Sequence, residues 1–299
     1  MPQGPESSAQ ARPRVAYLGP EGTFSEQALL SSVQVGEVQP IAVASIYEAV
    51  MAVQEARVDL ALVPIENSVE GSVTVTLDTL TGQAHDVRIV GELLLGVHHA
   101  LIGAQQIRLE QIERVFSHPH VPGQCTQLLH SELAHAQVMT SGSTAEAVRI
   151  VTESPQQPWA AIGPRRAAEI YGAEVLREGV EDHSDNETRF VWLARPAQAL
   201  SQAIGLQQNS QPGARKTSLV FWGSGAQRSG WLVRCLDEFA RRQINLTKIE
   251  SRPQRERSWR YMFFLDLEGS DEQESVSEAI AGLEQLCEQV RILGSYPPA

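Results

Sequence analysis

From Arg14 onward, short apolar runs alternate with stretches of helix-forming residues, and this alternation limits the folds that the chain can adopt. The apolar runs that we interpret as strands are residues 15–18, 41–43, 60–63, 88–96, 114–116, 159–162 and 189–193. The helix-like stretches between them are residues 26–31, 46–56, 126–133, 145–151 and 165–171. Strands that alternate with helices are typical of an α/β domain with mostly parallel strand pairing. We therefore predict an α/β domain over residues 14–195.

The composition changes after this domain. Residues 196–215 contain five glutamines and four alanines without a sustained hydrophobic period, which predicts a linker. In the remainder, residues 216–299, the spacing of apolar residues predicts the order strand, helix, strand, strand, helix, strand. This βαββαβ order is that of a ferredoxin-like sandwich. We expect a second domain there, and a disordered lead-in at residues 1–13.

The net charge and the cysteines exclude several classes of protein. A formal net charge of −12 and a pI of about 5.2 argue against nucleic-acid and anionic-membrane partners. Cys125, Cys235 and Cys287 are odd in number and far apart, so we expect no disulfide framework, no cysteine metal site and a cytoplasmic location. No segment reaches the roughly 18 apolar residues of a membrane span, and the lead-in lacks the apolar core of a signal peptide.

Small polar residues follow several of the predicted strands. They lie at residues 19–25, 64–72, 117–119 and 143–144. Backbone N–H groups at a helix N-terminus favour an anion, and ligands of open α/β folds bind at the carboxyl ends of strands. Together these loops predict a cleft for a small anionic ligand. For any single loop, ordinary helix capping by Ser or Thr is the alternative.

Cofactor motifs are missing from the sequence. The loop GPEGTFS at residues 19–25 lacks the lysine of a Walker loop and the third spaced glycine of a dinucleotide-binding loop. None of the histidines has HxxxH spacing with a carboxylate partner. We therefore expect no nucleotide, no metal and no other cofactor.

Residues 185–190, Asp-Asn-Glu-Thr-Arg-Phe, form a polar run that leads directly into an apolar strand. A Thr and an Arg at the mouth of a buried strand are well placed to face a cleft. A simple strand entry is the alternative interpretation.

Several segments together resemble the prephenate dehydratase family. They are VAYLGPEGTFSEQALL at 15–30, VPIENSVEGS at 63–72, SHP at 117–119 with Gln124-Cys125, and NETRF at 186–190. LTKIESRP at 246–253 resembles the ESRP segment of the ACT regulatory domain attached to those enzymes. The resemblance covers residues 14–297 and implies a two-lobed catalytic domain of the periplasmic-binding-protein type, followed by a ferredoxin-like ACT domain. The resemblance is to the monofunctional form of prephenate dehydratase, because no mutase-like helical domain precedes the matching residues.

The resemblance implies conversion of prephenate to phenylpyruvate, water and carbon dioxide in phenylalanine biosynthesis. The threonine of the family's TRF segment is its essential catalytic residue, and Thr188 occupies that position here. Our hypothesis is that Thr188 hydrogen-bonds the departing ring hydroxyl and relays a proton. Glu66 is a candidate source of that proton if burial raises its pKa, and Asn67 lies beside it.

The candidate substrate-binding residues come from the same segments. They are Thr23, Ser68, Gln124, Ser143, Thr144, Arg189, Phe190 and His99. Along a strand Arg189 points away from Thr188, so bracing the site or pairing with an acid is its alternative role. Phe190 shares the side of Thr188, and we expect it to pack beside the substrate ring. For His99 the alternative is a satisfied core histidine.

The ACT-like segment implies feedback inhibition by L-phenylalanine, bound between paired domains of a homodimer or homotetramer. The candidate effector-binding residues are Gly230, Trp231, Leu232, Val233, Glu250, Ser251, Arg252 and Pro253. The family has a small residue where this chain has Trp231, so we expect the indole to fill part of the effector pocket or to form one wall of it. A structural role at the dimer interface is the alternative for residues 250–253.

Two other functions stay open from the sequence. An arogenate dehydratase would act on a substrate that carries an amine in place of the ketone. A solute-binding or amino-acid-sensing protein would use a two-lobed cleft to bind a small anion without catalysis.

Overall fold

The computed structural model describes residues 12–34, 36–196, 213–223, 225, 228–254 and 260–299. Most of the predicted lead-in and of the predicted linker, namely residues 1–11 and 197–212, lie outside the described residues. The strands, in chain order, are β1 (Arg14–Leu18), β2 (Gln39–Val43), β3 (Leu60–Asn67), β4 (Gly71–Ser72), β5 (Arg88–Gly96), β6 (Ala100–Gly103), β7 (Arg114–Ser117), β8 (Gln137–Thr140), β9 (Trp159–Gly163), β10 (Glu174–Glu178), β11 (Glu187–Ala194), β12 (Lys216–Trp222), β13 (Leu246–Pro253), β14 (Tyr261–Glu268) and β15 (Gln289–Tyr296). The α-helices are α1 (Phe24–Ser32), α2 (Ile46–Gln54), α3 (Thr74–Gly82), α4 (Thr144–Thr152), α5 (Arg165–Tyr171), α6 (Trp231–Ala240) and α7 (Glu274–Leu286).

Two sheets form two lobes. The sheet of the first lobe has the order β2-β1-β3-β11-β5, with β4 paired to β3, and the sheet of the second lobe has the order β10-β6-β9-β7-β8. The chain passes from the first lobe to the second after β5 and returns between β10 and β11. In the first lobe β1 runs parallel to β2 and β3, whereas β11 runs antiparallel to its neighbours. The two-lobed α/β architecture implied by the resemblance is confirmed. The expectation of mostly parallel pairing is wrong, because five of the nine strand pairs described in these two sheets are antiparallel.

The third sheet belongs to the C-terminal domain. Its order is β13-β14-β12-β15 with antiparallel pairing throughout, and α6 and α7 cover one face. The order of elements along the chain confirms the predicted βαββαβ sandwich.

Strand β11 runs through the middle of the first sheet, and its side chains divide between two cores. Phe190 and Trp192 pack in the cluster that contains α1, whereas Val191 and Leu193 pack in the cluster that contains α2 and α3. This division follows from the two-residue period of a strand. The first sheet is therefore covered on both faces, which accounts for its continuous apolar runs.

The open face of the third sheet packs on the first lobe. Val220, Phe264 and Leu293 join the same apolar cluster as residues of α2 and α3. The backbones of β15 and β5 approach so closely that a Cβ added at Gly294 would overlap the carbonyl oxygen of Ile89. Glycine is thus required at that position, and the two domains share a core.

Strands β4, β6, β8 and β10 were not predicted, and two helical elements differ from the sequence-based expectation. Helix α3 was not predicted, because its threonine-rich sequence has low helix propensity, yet Thr79 and Thr81 donate to backbone carbonyls of the preceding turn. The predicted helix at 126–133 is present over residues 126–132, but Leu128–Glu132 are π-helical instead of α-helical. Tertiary packing outweighs local preference in both cases.

Two of the three cysteines are far apart in the sequence but close together in the fold. Cys235 of α6 and Cys287 after α7 are free thiols whose Sγ atoms lie 3.9 Å apart. Folding of the βαββαβ unit brings together positions separated by one helix and two strands. Among the described residues, no helix has both the length and the apolar character needed to cross a membrane.

Candidate active site

A cleft of about 690 Å³ is lined by residues of both lobes. The first lobe contributes the loop after β1, the end of β2 and cleft-facing residues of β3 and β11. The second lobe contributes residues after β7, a short 3₁₀ turn at Pro122–Gln124 and the start of α4. The cleft thus occupies the predicted position at the ends of strands.

Two helices begin at the cleft. Thr23 caps α1, where its hydroxyl oxygen accepts a hydrogen bond from the Glu26 backbone N–H over 3.3 Å. Ser143 caps α4 in the same way, over 3.0 Å to the backbone N–H of Glu146. The capping interpretation is therefore right for these two hydroxyls. Both residues, together with Thr144, nevertheless line the cleft, where the helix N-termini favour an anion.

Thr188 and Asn67 lie side by side at the cleft, as direct neighbours in the pairing of β11 with β3. The Asn67 amide donates to the Thr188 hydroxyl oxygen over 3.0 Å and to the Asn186 side-chain oxygen over 2.7 Å. The Asn67 side-chain oxygen accepts the backbone N–H groups of Val69 and Glu70 over 3.0 Å each, which fixes the amide orientation. Because Thr188 accepts a hydrogen bond here, its own O–H is available to a ligand in the cleft.

Asn186 extends this network to the second lobe. It is 2% exposed, and its amide donates to the Gln124 side-chain oxygen over 3.0 Å. The same oxygen lies 3.2 Å from Nε2 of His99, and the Gln124 amide donates to Glu70 over 2.6 Å. A continuous set of side-chain contacts therefore joins Thr188 to His99 across the cleft.

Three histidines line the cleft, and two of them have lowered pKa values. Burial lowers the pKa of His99, and burial together with neighbouring His120 lowers the pKa of His118. The rings of His118 and His120 stack with centroids 5.2 Å apart, and His120 Nδ1 lies 3.3 Å from a carboxylate oxygen of Glu70. Because His99 and His118 are neutral at pH 7, any anion held near them meets neutral donors.

Two acidic residues of the segment between β10 and β11 hold this network in place. Glu181 accepts the backbone N–H of His99 over 2.8 Å and contacts Nδ1 of His98 at 2.9 Å. The Asp182 backbone N–H donates to the Gln124 carbonyl over 2.7 Å. The Asp182 carboxylate accepts the backbone N–H groups of residues 126 and 127, in the turn after Gln124. The segment that connects the lobes between β10 and β11 therefore holds His99 and Gln124 in place.

The structure places Glu66 and Arg189 on the opposite face of β3 and β11 from Asn67 and Thr188. The Arg189 guanidinium donates to Glu66 over 2.9 Å and to Asp266 of the C-terminal domain over 2.8 Å. Neither side chain is part of the described cleft wall. The geometry therefore contradicts Glu66 as the proton source and Arg189 as a substrate ligand, and favours the alternative in which Arg189 pairs with acids.

Phe190 and Ser68 also lie outside the described cleft wall. Phe190 lies on the same face of β11 as Thr188, as predicted, but it is 2% exposed and packs in the α1 cluster. Ser68 accepts the backbone N–H of Glu187 over 2.9 Å and so holds the entry to β11. Both residues support the site from behind instead of contacting a ligand.

Trp231 is a core residue of the C-terminal domain. It is 3% exposed, packs against Phe221 and Phe263, and donates its indole N–H to the Leu286 carbonyl over 2.8 Å. This position contradicts the expectation that the indole fills or walls an effector pocket. Gly230 before it has a φ of 74°, a conformation that favours glycine. At the same helix start, Leu232 is half-buried and Val233 is exposed.

Strand β13 alternates between two environments. Arg252 pairs with Asp78 of α3 at 2.9 and 3.0 Å, and Glu250 contacts Ser72, so both side chains face the first lobe. Ser251 and Pro253 are exposed. The structural alternative therefore fits Glu250 and Arg252, although the contact is with the first lobe of the same chain.

The cleft also contains residues that we did not predict. They are Glu70, His118, His120, Glu146 and Arg149, and Asn186 lies in the network behind them. Glu70, His118 and Asn186 belong to the motifs quoted above, so motif membership was the available signal. In the part of the chain that the structure describes, no three His, Cys, Asp or Glu side chains are grouped to hold a metal ion.

Comparisons with known proteins give consistent results. The family model for prephenate dehydratase matches residues 15–198. The prephenate dehydratase of Amycolatopsis methanolica is 38% identical over 291 residues, covering 96% of this chain and 89% of the relative. A crystal structure of the Arthrobacter aurescens prephenate dehydratase in complex with L-Phe matches with a TM-score of 0.82 and 33% identity, covering 95% of this chain and 90% of that chain. GqqA, described as a novel type of quorum quenching acylase, matches with a TM-score of 0.79 and 27% identity, covering 96% and 98%.

Proposed function

The chain belongs to the prephenate dehydratase family, and we propose that it is a carbon–oxygen lyase that converts prephenate to phenylpyruvate. In this reaction the prephenate dianion takes up one proton, loses its ring carboxylate as carbon dioxide and loses its ring hydroxyl as water. The ring becomes aromatic, which makes the step strongly favourable. The enzyme therefore has to orient a dianion and help a hydroxyl leave.

The hydrogen bond from Asn67 to Thr188 carries this proposal. It occupies a lone pair of the Thr188 hydroxyl and leaves the hydroxyl hydrogen for the leaving oxygen of the substrate. Asn67 is itself fixed by two backbone N–H groups, so the donor is positioned before substrate binds. Glu70 and His120 form the titratable pair of the cleft wall, and in our proposal they replace Glu66 as the source of the proton.

The same cleft suits the charge of the substrate. The starts of α1 and α4 provide N–H groups and partial positive charge, and Gln124 and Thr144 add neutral hydrogen-bonding groups. A chain of net charge −12 has no long-range attraction for a dianion, so local donors have to bind it.

A product assay tests the activity. Purified full-length protein is incubated with prephenate or with arogenate, and phenylpyruvate or phenylalanine is measured. We expect phenylpyruvate from prephenate. Faster formation of phenylalanine from arogenate would make the protein an arogenate dehydratase, and binding of prephenate without product from either substrate would favour a binding protein.

Regulation is a further part of the proposal. We propose that L-phenylalanine inhibits the enzyme by binding the C-terminal domain of a homodimer or homotetramer in the cytoplasm. The relative solved with L-Phe supports the choice of effector, and the exposed side chains of Val233 and Ile249 offer apolar surface for a second copy. Calorimetric titration with L-phenylalanine and sedimentation of the full chain test these points. A monomer that binds no phenylalanine would remove the regulatory proposal and leave catalysis untouched.

A further inference from the structure

The pair of residues that faces the cleft has a second pair directly next to it in the sheet. Thr188 is opposite Asn67, and Arg189 is opposite Glu66. Because adjacent residues of a strand point to opposite faces, the second pair faces the C-terminal domain, back to back with the first. The strand register shifts immediately after Arg189. The β11–β3 ladder is therefore interrupted directly beyond these two pairs, while the β11–β5 ladder continues.

Charged groups from both domains surround the second pair. Arg189 contacts Glu92 at 3.1 Å and Asp266 at 2.8 Å, and its side chain is only 10% exposed. The ammonium of Lys248 lies 3.0 Å from a carboxylate oxygen of Glu66. Burial by itself would lower the pKa of Arg189, but the surrounding carboxylates outweigh burial and raise it, so the guanidinium stays charged.

The charges within this cluster are complementary between the domains. The first lobe contributes the carboxylates of Glu66 and Glu92 with one guanidinium. The C-terminal domain contributes the ammonium groups of Lys216 and Lys248 and the carboxylate of Asp266. The carboxylate of Glu250 in β13 lies 3.5 Å from the Lys248 ammonium. Separating the domains would break three ion pairs, those of Asp266 with Arg189, Lys216 with Glu92 and Lys248 with Glu66.

We propose that the C-terminal domain positions the catalytic pair through this cluster. Arg189 and Glu66 act as positioning residues. Across the domain interface Asp266 contacts Arg189, and Lys248 contacts Glu66. A shift of the second pair moves the first, since both belong to the same two strands, and displacement by about 1 Å can cost roughly a hundredfold in rate. This inference rests on the function proposed above and makes domain docking a condition for full activity.

The test compares two substitutions at the same interface. Asp266→Asn keeps the side-chain shape and removes the charge, and we expect kcat to fall about tenfold or more while KM changes by less than about twofold. Arg291→Gln is the matched control, because Arg291 donates to the carbonyls of Leu80 and Ala84 over 2.7 Å each, away from the catalytic pair. We expect Arg291→Gln to retain the wild-type kcat.

Further measurements separate positioning from general stability. In a Thr188→Ala background, Asp266→Asn should lower kcat no further, because its effect passes through Thr188. Additive losses, or equal losses from Asp266→Asn and Arg291→Gln, would overturn the proposal. Circular dichroism checks folding, and Lys248→Gln provides a milder variant with the same selective loss in kcat should Asp266→Asn not fold.

A readout without catalysis distinguishes this proposal from the proposed function. In methyl-labelled full-length protein, the Thr188 methyl resonance should shift in Asp266→Asn and stay in place in Arg291→Gln. An unmoved resonance in both variants would reject the positioning role. Wild-type protein that does not convert prephenate would reject the proposed function, while the methyl comparison would still report on the coupling.

Discussion

The two faces of the β3–β11 pair carry different polar chemistry. On the cleft face, Thr188 and Asn67 are neutral, partly exposed and hydrogen-bonded to each other. On the interface face, Arg189 and Glu66 belong to a cluster of charges that includes buried Asp266. Permanent charge therefore joins the domains, whereas the cleft face of this strand pair offers neutral donors; the acidic and basic side chains of Glu70, Glu146 and Arg149 lie elsewhere in the cleft wall.

The largest effect should come from the cleft face. Thr188→Ala removes the hydroxyl that donates to the leaving oxygen, and we expect kcat to fall by about 10²–10⁴-fold. Stability should change little, because Thr188 is only partly buried. Steady-state kinetics with prephenate, together with thermal unfolding, measure both quantities.

Thr188→Ser is the matched control for that prediction. It keeps the hydroxyl next to Asn67 and removes one methyl group, so it should retain much more activity than the alanine variant. A folded Thr188→Ala protein with nearly wild-type turnover would show that the cleft-face pair is not catalytic. The two faces of the strand pair would then not differ in function as proposed.

The interface face should respond in stability. Arg189→Met leaves the carboxylates of Glu92 and Asp266 without their shared partner, and loss of one member of a buried ion cluster costs about 3–5 kcal/mol. Urea unfolding measures this change in the free energy of unfolding. Arg165→Met is the control: Arg165 pairs with Glu169 and Glu178 at the surface, where solvent screens the ion pairs, so its loss should change the free energy of unfolding far less. Equal costs for the two variants would contradict the assignment of a buried charge cluster to this face.

The contrast between the faces could be predicted from the sequence only in part. The two-residue period of a strand already separates Thr188 from Arg189, and the motifs locate Asn67 and Gln124. The strand period and the motifs could not identify the partners of Arg189. These partners depend on strand register and on docking of the C-terminal domain, whose Asp266 lies 77 residues further along the chain.

For the fold and the core as well, local patterns were predictable from the sequence and tertiary contacts were not. Alternating apolar runs were sufficient for the α/β class and for the βαββαβ unit, since local periodicity determines element type. The division into two lobes came from the family resemblance, and strands β6, β8 and β10 of the second lobe were not predicted. Trp231 was misjudged because its packing against Phe221 and Phe263 is a tertiary contact between separate elements. Phe190 lies on the predicted side of β11, but its burial against α1 is a tertiary contact that the strand period alone does not reveal.

The smallest expected effect concerns the neutral histidine of the cleft. Burial lowers the pKa of His99 below its ordinary value of 6.5, so the unfolded chain takes up a proton at a higher pH than the folded chain does. This contribution to stability is complete above pH 6.5 and declines as the pH falls below it.

Thermal unfolding at about pH 7.5 and pH 5.5 should show this loss of stability, and the His99→Gln substitution should make the loss smaller. Part of the pH dependence should persist in that variant, because burial also lowers the pKa of His118. An identical pH dependence in wild type and His99→Gln would mean that His99 carries its charge as readily when folded as when unfolded, and the cleft face could then no longer be described as built from neutral donors.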